Sequence, residues 1–87
     1  MERKTALITG ATSGIGEACA RRFANGGYNI IITGRTADKL QALKAELETE
    51  GVSVLALAFD VCDRNATREA VNSIPDSFKP IDVLINN

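Results

Sequence analysis

The feature that most constrains this chain is a strict alternation of short apolar runs with longer stretches at helical spacing. Thr5-Ala6-Leu7-Ile8-Thr9 is a brief apolar run stopped by Gly10. Ile15 to Asn25 then carries Ile15, Ala18, Cys19 and Phe23 at helical spacing, with Arg21 and Arg22 near its end and Gly26-Gly27 as a stop. Asn29-Ile30-Ile31-Ile32-Thr33 is β-branched and uncharged, as a strand buried on both faces requires. Thr36 stands where a cap would, Asp38 falls in the first turn, and Leu40, Leu43 and Leu47 mark one face of a second helix that Gly51 ends. Ser53 to Ala58 reads as a third strand. Asp63 caps a third helix with Ala66, Ala70, Val71 and Ile74 as its apolar positions. After Pro75 and Pro80 comes a fourth strand, Ile81 to Ile85. No two runs are close enough for a hairpin. The alternation therefore predicts right-handed crossovers and a parallel sheet with helices on both faces.

Composition narrows the function. Ten basic residues against eleven acidic ones leave a net charge of -1, too little field for a nucleic acid backbone or a membrane surface. The chain has no His, and so lacks the commonest general base and metal ligand. Two cysteines, Cys19 and Cys62, are too few for a disulfide scaffold or a thiolate zinc site, so no metal is expected. No apolar run approaches the ~20 residues of a membrane span. Met1-Glu2-Arg3-Lys4 leads into a strand, unlike a signal peptide, so a cytoplasmic protein is expected. At 87 residues the chain is one domain at most, since domains commonly run to roughly 100–200 residues.

The chemistry concentrates between the first strand and the first helix, in Thr9-Gly10-Ala11-Thr12-Ser13-Gly14-Ile15-Gly16. Gly10 permits a sharp turn off the strand, Gly14 leaves room for a diphosphate at the backbone, and Gly16 lets the helix sit close to the sheet. The helix N-terminus offers unpaired N–H groups to a phosphate, and Thr12 and Ser13 add hydroxyls. A phosphate loop of the Lys-Ser/Thr type is excluded, because Glu17-Ala18 follows the last glycine. The usual two-glycine dinucleotide spacing is not matched either, since three residues separate Gly10 from Gly14.

That Thr-Gly-three-Gly-Ile-Gly spacing resembles the short-chain dehydrogenase/reductase superfamily, in its single-domain branch. The resemblance spans the chain: Gly34-Arg35 follows the second strand, Asp60-Val61 the third, and Asn86-Asn87 the fourth, like the start of the family's Asn-Asn-Ala-Gly motif. Residues 33–43, Ser73-Ile74-Pro75 and Ile81 to Leu84 look closest to NADP-dependent dehydrogenases of serine and related 3-hydroxy acids. The resemblance implies a Rossmann-type, doubly wound parallel sheet with strand order 3-2-1-4. It also implies a hydride-transferring oxidoreductase acting on a small hydroxyl or carbonyl substrate; a homo-oligomer is expected as well. In that order Val83-Leu84-Ile85 forms an apolar sheet edge open to self-association.

The resemblance also assigns the cofactor-binding residues: Gly10, Ala11, Thr12, Ser13, Gly14, Ile15 and Gly16 at the diphosphate, Arg35 and Thr36 at the adenosine ribose, Asp60 and Val61 at the adenine, and Asn87 approaching the cofactor ribose through its backbone. An acid at the end of the second strand holds the ribose hydroxyls of NAD, whereas an Arg favours the 2′-phosphate of NADP. Arg35 stands there and no acid lies between Asn29 and Arg35, so NADP is expected. Asp60 could equally bond local N–H groups. Cys19 reads as a small buried hydrophobe, Arg21-Arg22 as a solvated helix end, and Tyr28 and Phe59 as packing residues.

No catalytic residue is assigned. The family uses a Tyr whose pKa a Lys four residues later lowers, with a Ser and an Asn. The one Tyr here, Tyr28, is followed four residues on by Ile32. Three readings stay open: the cofactor-binding portion of a longer NADP-dependent enzyme, which the stop inside the Asn-Asn-Ala-Gly motif favours; a stand-alone nucleotide-binding module; and a fragment with a structural or pairing role.

Overall fold

The computed structural model describes residues 3–87. The strands are β1 (Thr5–Ile8), β2 (Asn29–Gly34), β3 (Val54–Ala58) and β4 (Val83–Ile85), and the helices are α1 (Gly14–Asn25), α2 (Ala37–Glu48) and α3 (Arg64–Asn72). A single 3₁₀ turn, Asp76–Phe78, precedes β4. Lys4 leads directly into β1, as expected, while Met1 and Glu2 lie outside the described residues. All pairings are parallel and the order is β3-β2-β1-β4, the Rossmann-type arrangement.

The winding follows from handedness. β1 to β2 and β2 to β3 step outward in one direction, so right-handed crossovers put α1 and α2 on one face. The chain then returns to the other side of β1, and the same handedness carries α3 over the opposite face. Side-chain alternation separates the two surfaces. Ala6, Ile8, Ile30, Ile32 and Val54 pack with Ala20, Ala24, Leu40, Leu43 and Leu47 in the main core. Ile31 points the other way, to Ile74 and Phe78, with Leu7, Leu55 and Leu57 half-buried around it. Asp82 pins the start of β4 to β1, its Oδ2 accepting from Thr5 N at 2.9 Å while its own N–H donates to Thr5 O at 2.9 Å.

Several expectations need correction. Ile15 is 73% exposed and Ala18 is also exposed, while Gly16, Ala20 and Ala24 form the buried stripe of α1. The inward face of α1 is built from small residues because the helix lies close to the strands, and a bulky residue suits the outside. Cys19 is half-buried, packed against the core. Helix α3 buries none of its residues: Ala66 and Ala70 are half-buried, Val71 is 50% exposed, and Ile74 is buried only beyond the helix end. Coverage of the second face is therefore partial. In β4, Leu84 is 61% exposed while Val83 and Ile85 are half-buried against the main core, so only one of the three expected edge residues stands open. Arg21 is no mere solvated helix end. It pairs with Glu17 at 3.6 Å and with Glu46 of α2, tying the two helices together. The hydrogen bond it donates to the Glu46 carboxylate is the main reason its guanidinium is held above its ordinary pKa. Asp63 caps α3 through Ala66 N at 3.1 Å, whereas Thr36 occupies the N-cap of α2 without a side-chain bond.

Candidate functional site

Reversal of the winding between β1 and β4 leaves a crevice at the carboxyl ends of the strands. A cleft of about 460 Å³ lies there. Gly10, Thr12 and Ser13 enter it from the glycine loop, Arg35 and Thr36 from the turn after β2, Asp60 and Val61 from the turn after β3, and Asn87 from the end of β4.

The glycine loop is packed onto itself and onto β4. Gly10 has φ +61°, a left-handed conformation that side chains rarely adopt. A Cβ at Gly16 would stand 2.3 Å from the Gly10 carbonyl oxygen and 2.8 Å from Asn87 Nδ2. Gly16 thus seats the first turn of α1 against the end of β1. By contrast, a Cβ at Gly14 would meet nothing within 4 Å, so the space over Gly14 is open. Ala11 is fully buried and its N–H donates to Thr33 O at 3.0 Å, fastening the loop to β2.

The end of β4 fastens the other side. Thr9 Oγ1 donates to Asn86 Oδ1 at 3.0 Å and accepts from Asn87 N at 3.0 Å. Asn87 Nδ2 donates to Gly10 O at 3.1 Å and to Ser13 Oγ at 2.7 Å. Ser13 Oγ in turn donates to Gly10 O at 2.9 Å. Ser13 is the N-cap residue of α1, yet its side chain caps nothing. The N–H groups of Gly14, Ile15 and Gly16 consequently have no partner among the described residues, the first helical bond being Glu17 N to Ser13 O at 2.7 Å. Three N–H groups without a partner beside open space are chemically suited to an anion.

Arg35 is exposed and makes no ion pair among the described residues. Thr12 lies against the preceding residue, its hydroxyl 3.5 Å from where a Gly34 Cβ would lie. Asp60 Oδ1 accepts from Cys62 N at 2.9 Å, the local bond foreseen as an alternative, while the residue also lines the cleft. Of the twelve residues expected at the cofactor, Gly10, Thr12, Ser13, Arg35, Thr36, Asp60, Val61 and Asn87 line the cleft, and Ala11, Gly14, Ile15 and Gly16 do not. Sequence reading missed Thr33, which lines the same cleft; it is 2% exposed and its Oγ1 has no hydrogen-bond partner among the described residues. Phe59 and Cys62 line the cleft as well, where sequence reading gave Phe59 a packing role. Tyr28 precedes β2, at the opposite end of the sheet, edge-on to Phe23 with ring centroids 4.9 Å apart. Among the described residues no cluster of three metal-ligating side chains occurs, and no helix is long and apolar enough to cross a membrane.

Comparison with known proteins decides the family. The short chain dehydrogenase family model matches residues 4–87. The chain belongs to that family. Among curated short chain dehydrogenase relatives, serine 3-dehydrogenase of Agrobacterium fabrum is 52% identical over 83 residues, covering 95% of this chain and 32% of the relative. The NADP-dependent 3-hydroxy acid dehydrogenase YdfG of Salmonella typhi is 49% identical over 81 residues, covering 93% of this chain and 32% of the relative. Among solved structures, L-sorbose reductase from Gluconobacter frateurii, complexed with NADPH and L-sorbose, superposes with a TM-score of 0.90 at 39% identity, covering 100% of this chain and 34% of the reductase. The chain thus spans about a third of the length of these short chain dehydrogenases.

Proposed function

We propose that residues 1–87 are the NADP(H)-binding portion of a longer single-domain oxidoreductase that transfers a hydride between nicotinamide and a hydroxyl or carbonyl carbon of a small substrate, a 3-hydroxy acid by class. One observation carries the cofactor assignment. The cleft runs from Gly10 and Ser13, at the residue that opens α1, to Arg35 at the end of β2, which makes no ion pair among the described residues, and no carboxylate stands on that strand to repel a 2′-phosphate.

The residues fit the group. Ile15 and Gly16 N–H would hold the diphosphate, with the open space at Gly14 admitting it to the backbone. The Arg35 guanidinium fork and the Thr36 hydroxyl would hold the 2′-phosphate. Asp60 would accept from the adenine amino group, with the Val61 backbone beside the ring. When bound, NADP(H) supplies a hydride acceptor or donor at its nicotinamide. The described residues bind and orient; no acid-base group for the hydroxyl proton is assigned among them. Similarity to the NADP-dependent 3-hydroxy acid dehydrogenase of Salmonella typhi supports both NADP and the substrate class. Family membership disfavours a binding module without chemistry.

Titration of the full gene product with NADPH and NADH, followed by intrinsic or cofactor fluorescence, tests this. NADPH should bind at least tenfold more tightly, and Arg35→Asp should abolish or reverse that preference. An NADH preference unmoved by Arg35→Asp overturns the assignment.

A further inference from the structure

The hydrogen bonds at the loop hold a contradiction that needs a cause. A serine at a helix N-cap ordinarily turns its hydroxyl oxygen to the N–H two or three residues on, here Ile15 or Gly16. Ser13 does not do so. Its hydroxyl is directed to Gly10 O at 2.9 Å and receives Asn87 Nδ2 at 2.7 Å. The same Asn87 amide nitrogen reaches Gly10 O at 3.1 Å, so one side chain from the end of β4 locks both ends of the loop.

We propose that Asn87 is a positioning residue for the cofactor diphosphate: by holding Ser13 away from the N-cap bond, it keeps the Ile15 and Gly16 N–H groups open to phosphate. Without that hold, the Ser13 oxygen is free to satisfy one of these donors itself. An anion would then have to displace the cap before binding. The cost of displacement is that of an ordinary serine cap, equivalent to about fivefold in affinity. Because the diphosphate is common to both dinucleotides, the penalty falls on NADPH and NADH alike. This distinguishes Asn87 from Arg35, whose loss falls on the 2′-phosphate alone.

The inference rests on the reading of the cleft as a dinucleotide site, and the experiment separates the two. Full gene product carrying Asn87→Ala is titrated with NADPH and NADH beside the parent. Both affinities should fall about fivefold. Against Ser13→Ala alone, which removes the competing cap together with any bond its hydroxyl makes to phosphate, adding Asn87→Ala should cost little further affinity. A brace acting only through Gly10 weakens binding about fivefold in either background, so a full Asn87→Ala loss on top of Ser13→Ala overturns the proposal. A loss confined to NADPH overturns it too. Amide hydrogen exchange gives a reading without ligand: Asn87→Ala should slow exchange at Ile15 or Gly16, and Ser13→Ala should reverse it. Should Asn87→Ala fail to fold, Asn87→Ser carries the same expected pattern. A parent that binds neither dinucleotide overturns the dinucleotide reading itself, and the inference with it. A parent that prefers NADH overturns only the NADP assignment, and the double variant is then read with NADH.

Discussion

The two faces of the sheet are built from similar residues and end in different states. On one face α1 and α2 seal Ala6, Ile8, Ile30, Ile32 and Val54 beneath alanines and leucines. On the other, Ile74 and Phe78 are the buried partners of Ile31, and Leu7, Leu55 and Leu57 around them remain half-buried. The difference comes from winding rather than composition. Two outward crossovers load one face, and one returning crossover serves the other. The functional crevice lies where the winding reverses, so the uneven coverage and the site share an origin.

The largest effect separates the faces directly. Ile30→Ala removes a fully buried side chain from the sealed face and should destabilise the chain by about 2–5 kcal/mol in urea unfolding. Leu84→Ala, at a 61% exposed position of β4, should change stability by no more than about 0.5 kcal/mol. Equal losses would break the comparison. A smaller effect probes how closely α1 is seated. Gly16→Ala places a methyl 2.3 Å from the backbone oxygen of Gly10 and should cost roughly 1–3 kcal/mol, despite the better helix propensity of alanine. Gly14→Ala meets nothing within 4 Å and should leave thermal stability unchanged or raised. If both glycines tolerate alanine equally, the close seating of α1 is wrong.

Much of this architecture is legible in the residues. Ile30-Ile31-Ile32 reads as a buried strand because only a two-sided sheet accommodates a continuous β-branched run. Leu40, Leu43 and Leu47 name the buried face of α2 because their spacing and their environment agree. Where spacing and environment disagree, reading fails. Ile15 fits a helical stripe yet faces outward, since nothing local says that α1 lies too near the strands for a large side chain. Ala66, Ala70 and Val71 are apolar at the right intervals, but a helix can bury them only against a surface that its crossover brings into reach. The site divides the same way. Gly10, Arg35 and Asp60 are signalled by their places at strand ends, because strand ends are where such crevices form. The bond from Asn87 to Ser13 joins residues 74 apart and depends on side-chain direction, which no spacing encodes.

The smallest effect lies at the boundary between the open face and the crevice. By alternation Thr33 shares the side of Ile31, and it pairs with Leu57 in β3. Were that side wet at this point, water would satisfy its hydroxyl. Instead Thr33 is 2% exposed and Oγ1 has no partner among the described residues. An unsatisfied buried hydroxyl costs free energy that an isosteric methyl does not, and valine is a strong strand former. Thr33→Val should therefore raise stability by up to about 1 kcal/mol, read as a higher urea midpoint at unchanged slope. A loss of stability would mean that the hydroxyl is solvated, and that the open face extends to the floor of the crevice. Titrating the same variant with NADPH sharpens the result. Unchanged binding makes Thr33 a structural residue of the sheet, whereas weakened binding with raised stability marks its hydroxyl as held in reserve for the cofactor.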